Sequence, residues 1–211
     1  MNTLDDAYDN SGHIAGAADF PPRWETAAAA FRADLGARAQ VGVSYGPSER
    51  QVFDFFQPEG VSRGTVIFVH GGYWKAFDRS YWSHLAGGPL SRGMTDPLVL
   101  PADVRSRIEN IVPISAVADL TPLMQTSMNE ILRIDTAEAQ AESPVNMSPP
   151  HGVNVTVCVG ADERPAFLEQ SEQLARTWGA RQLVPEGKHH FDVIDALADP
   201  ESDMIKVLLG G

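Results

Sequence analysis

Basic residues and cysteine are both scarce in this chain of 211 residues. Its 16 Lys and Arg residues stand against 28 Asp and Glu residues, which gives a formal net charge of -12 at pH 7. Because such an acidic surface repels a phosphate backbone, we expect no nucleic-acid partner. The single cysteine, Cys158, cannot form an internal disulfide, which fits a reducing compartment. Since it lies in the apolar stretch 153–159, we expect a buried and inert thiol rather than a nucleophile.

Long apolar stretches are missing as well. No stretch approaches the roughly 18 apolar residues that a membrane span needs, and the acidic start of the chain has no apolar signal-peptide core. The sequence therefore predicts a cytoplasmic protein with no membrane association. A hydrophobic content of 43% and a charged content of 21% are typical of a globular protein. We expect a single domain over residues 1–211, in which residues 1–23 form an extended N-terminal segment.

Short apolar stretches alternate with amphipathic ones along the chain. Predicted strands cover 65–69, 111–115, 153–160 and 182–184, and predicted helices cover 24–39, 80–90, 165–178 and 203–209, with a short helix from Pro101 and a partly helical stretch over 120–134. Residues 41–45 and 51–57 flank the turn Gly46-Pro47-Ser48 and predict an antiparallel hairpin. This alternation predicts an α/β fold with a mostly parallel sheet and helices on both of its faces.

One apolar stretch ends in a conspicuous loop. Val66-Ile67-Phe68-Val69 runs into His70-Gly71-Gly72-Tyr73-Trp74, a pattern that predicts a buried parallel strand followed by a tight turn. Two adjacent glycines let the backbone approach a ligand closely and direct N–H groups at an anion. The oxyanion hole of an acyl-transfer hydrolase is built in this way. The aromatic side chains of Tyr73 and Trp74 fit either a substrate pocket or the core.

Two polar segments follow later strands, where ligands bind in open α/β sheets. The first contains Asp162 and Glu163, and a carboxylate there could orient an imidazole or simply cap the helix that begins at Pro165. The second contains His189 and His190, in the place that a general base occupies when the chain order is serine, acid, histidine. A metal pair is the alternative for the two histidines, but no third ligand lies at a suitable spacing, so we expect no metal.

Taken together, these segments resemble the α/β-hydrolase fold and, more narrowly, the bacterial kynurenine formamidase-like esterases. The resemblance extends over nearly the whole chain. It rests on the loop 70–74, on Glu163-Arg164-Pro165-Ala166-Phe167, on His189-His190-Phe191 and on the hairpin 41–55 with its Phe53-Asp54-Phe55. Glu163 is then the catalytic acid, with Asp162 as the less favoured candidate, and His190 is the base.

The resemblance also implies the remaining parts of the site. The backbone amides of Gly71, Gly72 and Tyr73 would form the oxyanion hole, and Trp74 would lie beside the substrate. No cofactor would be needed, and the substrate would be a small carboxylic ester or aryl formamide. The sequence leaves a homo-oligomer open.

The nucleophile is the point of departure from this family. No serine between Trp74 and Glu163 is flanked by glycines in the G-x-S-x-G spacing of a nucleophile elbow. Compared with the family, two central strands and their helices are missing between Gly93 and Thr95, on the order of 50 residues. Ser44 has the spacing, but it precedes the oxyanion loop and leads into a strand, so we reject it. Ser115, at the end of a predicted strand, lacks the glycines.

A second interpretation therefore stands beside that of a serine-type hydrolase. Without an attacking group, the chain would be a non-catalytic or truncated relative of the family that binds a small molecule or a protein partner.

Overall fold

The computed structural model of the protein describes residues 3–91, 94–95, 107–149 and 151–210. The chain divides into two compact units. The first unit comprises Met1–Ala17, Ile108–Ile194 and Val207–Gly211, and the second comprises Ala18–Arg107 and Asp195–Lys206.

The described residues contain helices and parallel strands, in agreement with the α/β prediction. The α-helices are α1 (Thr3–Ala7), α2 (Phe20–Leu35), α3 (Gly87–Ser91), α4 (Asn129–Leu132), α5 (Thr136–Glu142), α6 (Pro165–Trp178) and α7 (Asp203–Leu208). The strands are β1 (Ala39–Ser44), β2 (Val52–Phe56), β3 (Gly64–Thr65), β4 (Met94–Thr95), β5 (Asn110–Ile111), β6 (Asn154–Cys158) and β7 (Arg181–Leu183). Single turns of 3-10 helix cover Ala17–Asp19, Gly36–Arg38, Arg79–Tyr81, Ser83–Ala86, Thr121–Gln125, Pro144–Asn146 and Val193–Leu197.

The first unit is built on a three-stranded parallel sheet with the order β5-β6-β7. Helix α6 begins at Pro165, whose missing N–H costs nothing at a helix start, and ends at Gly179 in the left-handed conformation. Its buried side chain Leu174 packs with Val155 and Val157 of the central strand. The predicted helix over 165–178 is thereby confirmed, and this helix holds the segment that follows β6.

The second unit carries the antiparallel hairpin of β1 and β2. Its register pairs Ala39 with Phe56 and Ser44 with Val52, and a bulge lies between Gln40 and Val43. The predicted hairpin is confirmed. In the same unit, β3 and β4 form a short parallel ladder.

The predicted buried strand over 65–69 is wrong. Strand β3 ends at Thr65, Ile67 is 36% exposed and Val69 is 85% exposed. A parallel strand becomes buried only when strands flank both of its edges and helices cover both faces. The ladder with β4 is only two residues long, so the apolar pattern of 66–69 is not matched by burial.

Three other predicted elements differ in length or type. The strand over 111–115 reduces to β5 and an isolated bridge between Ile114 and Cys158. The stretch 80–90 forms two 3-10 turns and then α3 instead of one continuous helix, and Pro89 has no N–H for a helical hydrogen bond to the preceding turn. Part of the N-terminal segment is the helix α1 and not extended chain.

The remaining predictions have mixed outcomes. The helix predicted from Pro101 lies outside the described residues. Helix α7 confirms the helix predicted near the end of the chain. Among the described helices, none is both long enough and apolar enough to cross a membrane.

Candidate active site

Glu163 is the buried centre of the site in the first unit. It lies in the turn between β6 and α6, where its backbone N–H donates to the carbonyl oxygen of Gly160 at 3.1 Å. Its side chain is 0% exposed. A carboxylate taken out of water in this way needs hydrogen-bond donors at both oxygens.

Three donors satisfy this carboxylate. The hydroxyl of Ser115 donates to Oε1 at 2.5 Å, and the backbone N–H of Gly160 donates to the same oxygen at 2.9 Å. The Nδ1 atom of His190 lies 2.6 Å from Oε2. Since an ionised carboxylate only accepts hydrogen bonds, Nδ1 carries the proton of the neutral imidazole. Each oxygen thus has its own set of partners, which stabilises a buried negative charge.

The loop that carries His190 is held against the Glu163 turn by backbone contacts. The N–H of Ala161 donates to the carbonyl of Pro185 at 3.0 Å, and the N–H of Asp162 donates to the carbonyl of Lys188 at 2.9 Å. A Cβ atom at Gly160 would lie only 2.2 Å from the Lys188 oxygen, so glycine is required for this close approach.

The second ring nitrogen of His190 is left available. In the part of the chain that the structure describes, Nε2 has no hydrogen-bond partner, and the side chain is 22% exposed. The ring of Phe167 lies against the imidazole, with 4.5 Å between the ring centroids. With the proton on Nδ1, the lone pair on Nε2 can accept a proton from an attacking group, which is the requirement for a general base.

The neighbours of this pair take other roles. Asp162 is exposed, whereas Glu163 is buried and bonded to His190, so the geometry favours Glu163 over Asp162 as the orienting carboxylate. His189 is bonded to Asp192, with 3.1 Å between Nδ1 and Oδ1. The two adjacent histidines therefore have different partners.

Neither candidate serine has the geometry of a nucleophile elbow. Ser44 lies in strand β1, donates to the carbonyl of Gly46 at 2.8 Å, and is followed by a second strand. Ser115 has a left-handed backbone with φ of 49°, but its hydroxyl donates to the acid Glu163 and not to His190. No local pattern predicts this contact, and the only signal in the sequence is the position of Ser115 at the end of a predicted strand.

The glycine loop lies in the second unit, and it is a sharply turned backbone. The N–H groups of Lys75 and Ala76 donate to the carbonyl of Gly72 at 3.1 and 3.0 Å. Gly72 has φ of 113°, and a Cβ atom there would lie 2.1 Å from the carbonyl oxygen of Ala76. No side chain fits at this position, so the turn depends on glycine.

Two backbone N–H groups of this loop are unpaired in the part of the chain that the structure describes. Among the described residues, the N–H groups of Gly71 and Gly72 have no hydrogen-bond partner. Tyr73 and Trp74 have positive φ angles of 51° and 57°. Because Trp74 is 75% exposed, the alternative that it belongs to the core is wrong, whereas Tyr73 is half-buried.

Aromatic rings support the loop from within its own unit. The imidazole of His70 stacks on Trp82, with an interplanar angle of 16° and 6.5 Å between centroids. Trp82 is 8% exposed and packs against Trp24 and Phe77. This cluster fixes the start of the loop to the core of the second unit.

Comparisons with known proteins point to hydrolases. No family model matches the chain. Over 240 aligned positions it is 22% identical to the kynurenine formamidase of Salmo salar, and the alignment covers 82% of each chain. It is also 22% identical to the kynurenine formamidase of Danio rerio, over 233 positions that cover 79% of this chain and 80% of the other.

The alignments are longer than the part of this chain that they cover. Since 82% of 211 residues is about 173 residues, about 67 of the 240 positions aligned with the Salmo salar protein have no counterpart in this chain.

A solved structure is much more similar. A candidate thioesterase from Silicibacter sp. TM1040 is 43% identical to this chain and superimposes with a TM-score of 0.94. The comparison covers 99% of each chain.

Proposed function

Because this chain belongs to the same hydrolase family as the Silicibacter protein, we propose that it hydrolyses an acyl bond with Glu163 and His190 as its acid–base pair. The observation that carries the proposal is the contact of 2.6 Å between His190 Nδ1 and Oε2 of a fully buried Glu163. This contact fixes the tautomer of the imidazole and leaves Nε2 as a base.

The names of the relatives suggest one shared chemical step. A formamidase cleaves a formyl C–N bond, and a thioesterase cleaves an acyl C–S bond. Both reactions begin with attack on an acyl carbonyl, and so does ester hydrolysis. We therefore propose small carboxylic esters or aryl formamides as the substrate class, with thioesters as the third acyl group to be tried.

His190 carries the proton in this mechanism. As the attacking oxygen bonds to the carbonyl carbon, its proton passes to Nε2, and the imidazolium that forms is stabilised by Glu163. The same proton then passes to the leaving amine, alcohol or thiol as the acyl bond breaks. We assign the amides of Gly71 and Gly72 to the negative oxygen of the tetrahedral intermediate, because both lack other partners among the described residues.

We propose water as the attacking group in this chain. No serine in the described ranges is bonded to His190. The resemblance implies that the segment which would carry an elbow is missing between Gly93 and Thr95, and about 67 of the positions aligned with the Salmo salar protein have no counterpart in this chain. Water that loses its proton to Nε2 yields the carboxylic acid and the leaving group directly, and no covalent intermediate forms. General-base assistance of this kind contributes about 100-fold to 10,000-fold in rate, so we expect slow turnover.

The test compares hydrolysis by the native chain with that by His190→Ala and His189→Ala. With p-nitrophenyl acetate, a formanilide and an acetyl thioester as substrates, we expect His190→Ala to remove about 99% of the activity, whereas His189→Ala retains it. A fluorophosphonate probe followed by intact mass should give no adduct. A covalent adduct on a serine would identify that serine, and not water, as the attacking group. Equal rates for all three proteins would favour a non-catalytic binding protein.

A further inference from the structure

We propose that Ser115 is a positioning residue that holds the carboxylate of Glu163 in the orientation His190 requires. This inference rests on the proposed function of the Glu163–His190 pair. It is carried by the hydrogen bond from the Ser115 hydroxyl to Glu163 Oε1, whereas the imidazole of His190 contacts Oε2.

The backbone of Ser115 is fixed on both sides. Its N–H donates to the carbonyl of Cys158 at 2.8 Å, directly after the bridge between Ile114 and Cys158. Downstream, the N–H groups of Ala118 and Asp119 donate to Oε1 of the buried Gln170 at 2.9 and 2.7 Å. The hydroxyl is therefore presented from a segment that is attached to β6 and to α6.

The left-handed φ of 49° at Ser115 supports a dedicated role. Residues with a side chain rarely adopt this conformation, and they do so where surrounding contacts impose it. Here the conformation brings the hydroxyl of Ser115 into hydrogen-bond contact with the buried carboxylate of Glu163.

The two carboxylate oxygens of Glu163 have different hydrogen-bond partners. The carboxylate can rotate about its terminal torsion, whose preferences are broad. The Ser115 hydroxyl and the Gly160 N–H both hold Oε1, which leaves Oε2 to accept from His190 alone. Without the hydroxyl, one donor remains on Oε1 and the rotation is less restricted.

The same contact argues against Ser115 as the attacking nucleophile. A serine that attacks an acyl carbon must pass its proton to the base, which here is Nε2 of His190. The hydroxyl of Ser115 instead donates to the carboxylate that orients this base. Its effect on catalysis would thus be exerted through Glu163.

The test uses two variants that both lack the hydroxyl. Ser115→Ala keeps the strained backbone, and Ser115→Gly relieves it, so a shared effect belongs to the hydroxyl. Ser143→Ala is the matched control, because the Ser143 hydroxyl also makes hydrogen bonds within the first unit, but to Ala139 and Leu120. The first readout is the low-field proton NMR signal of His190 Nδ1–H, assigned by its loss in His190→Ala.

We expect this NMR signal to move upfield or broaden in both Ser115 variants and to stay in place in Ser143→Ala. The value of kcat should fall about tenfold in both variants with little change in KM, as for the loss of one hydrogen bond to a charged group. An unchanged NMR signal in both variants would overturn the positioning role. Because the signal does not depend on turnover, an inactive native chain would overturn the proposed hydrolase and still leave this inference decided by NMR.

Discussion

Gly160 and Lys188 approach each other so closely that a single methyl group cannot fit between them. A Cβ atom at Gly160 would lie 2.2 Å from the carbonyl oxygen of Lys188, and 2.7 Å from its carbonyl carbon. These two positions join the turn of Glu163 to the loop of His190. The distance between acid and base is therefore set by backbone packing as well as by the side chains.

Replacing this glycine should separate the pair. We expect Gly160→Ala to destabilise the protein by about 3 kcal/mol, because the backbone of the 185–190 loop must move, and to remove most of the hydrolysis. Gly187→Ala is the matched control. It has φ of 67° and open space around it, so only the left-handed backbone is strained, at about 1 kcal/mol. Urea unfolding of both variants measures the difference, and equal losses would contradict the close-contact argument.

Breaking a buried ion pair in the second unit should cost more free energy of unfolding than breaking a surface ion pair. The side chain of Asp54 is 4% exposed, and its Oδ1 accepts from Arg79 Nε at 2.7 Å and from the N–H of Gly42 at 2.9 Å. Removing the cation would leave a buried charge without its partner, so we expect Arg79→Ala to cost about 3 kcal/mol in the free energy of unfolding.

The exposed pair of Arg38 and Glu59 supplies the control for that measurement. Glu59 is 86% exposed, and Arg38→Ala should cost less than about 1 kcal/mol. If both arginine variants unfold at the same urea concentration, the burial of Asp54 does not increase the cost of removing its cationic partner.

The sequence pattern was sufficient to predict the elements that are determined by local residues. The helix over 165–178 has a proline at its start, a glycine after its end and an apolar side, and the hairpin has a Gly-Pro turn. Glu163 and His190 could be named from the resemblance, and the structure brings their side chains together in the first unit.

Burial of an apolar stretch could not be predicted from its composition alone. The four residues 66–69 have the character of a buried strand, but burial depends on strands and helices elsewhere in the chain, and Val69 is 85% exposed. The hydrogen bond from Ser115 to Glu163 could not be predicted for a related reason. Its hydrogen-bond partner is 48 residues away, and no local pattern records such a contact.

His84 should make the stability of the protein depend on pH. Burial, with a smaller contribution from the charge of Arg23, lowers the pKa of His84 below its ordinary value of 6.5. The unfolded chain therefore binds a proton more readily than the folded protein, and stability is lost as the pH falls through 6.5. In urea unfolding at pH 7.5 and 5.5, His84→Gln should lose less stability than the native chain. The exposed His151 offers the control, since His151→Gln should retain the native pH dependence.

The thiol of Cys158 should be inert in the folded protein. Burial, and then the charge of Glu163, raise the pKa of Cys158 to about 12. We expect no alkylation by iodoacetamide at pH 8, followed by intact mass, and complete alkylation in concentrated urea. Rapid labelling of the native chain would contradict the burial of β6 at this residue.

The two glycines of the loop 70–74 should respond differently to the same substitution. A Cβ atom at Gly72 would lie 2.1 Å from the Ala76 carbonyl oxygen, whereas nothing lies within 4 Å of a Cβ atom at Gly71. Alanine at either position keeps the backbone N–H, so only the shape of the turn is tested. We expect Gly72→Ala to lower ester hydrolysis about 100-fold, the size of losing one oxyanion donor, and Gly71→Ala to retain most of the activity.

Circular dichroism and urea unfolding distinguish this effect from a general loss of structure. Each glycine variant should keep the far-ultraviolet spectrum of the native chain, because the loop contributes no helix or strand to the described fold. If Gly72→Ala hydrolyses esters at the native rate, the amides of this loop do not bind the oxyanion. The donors to the negative oxygen of the proposed reaction would then have to be sought elsewhere.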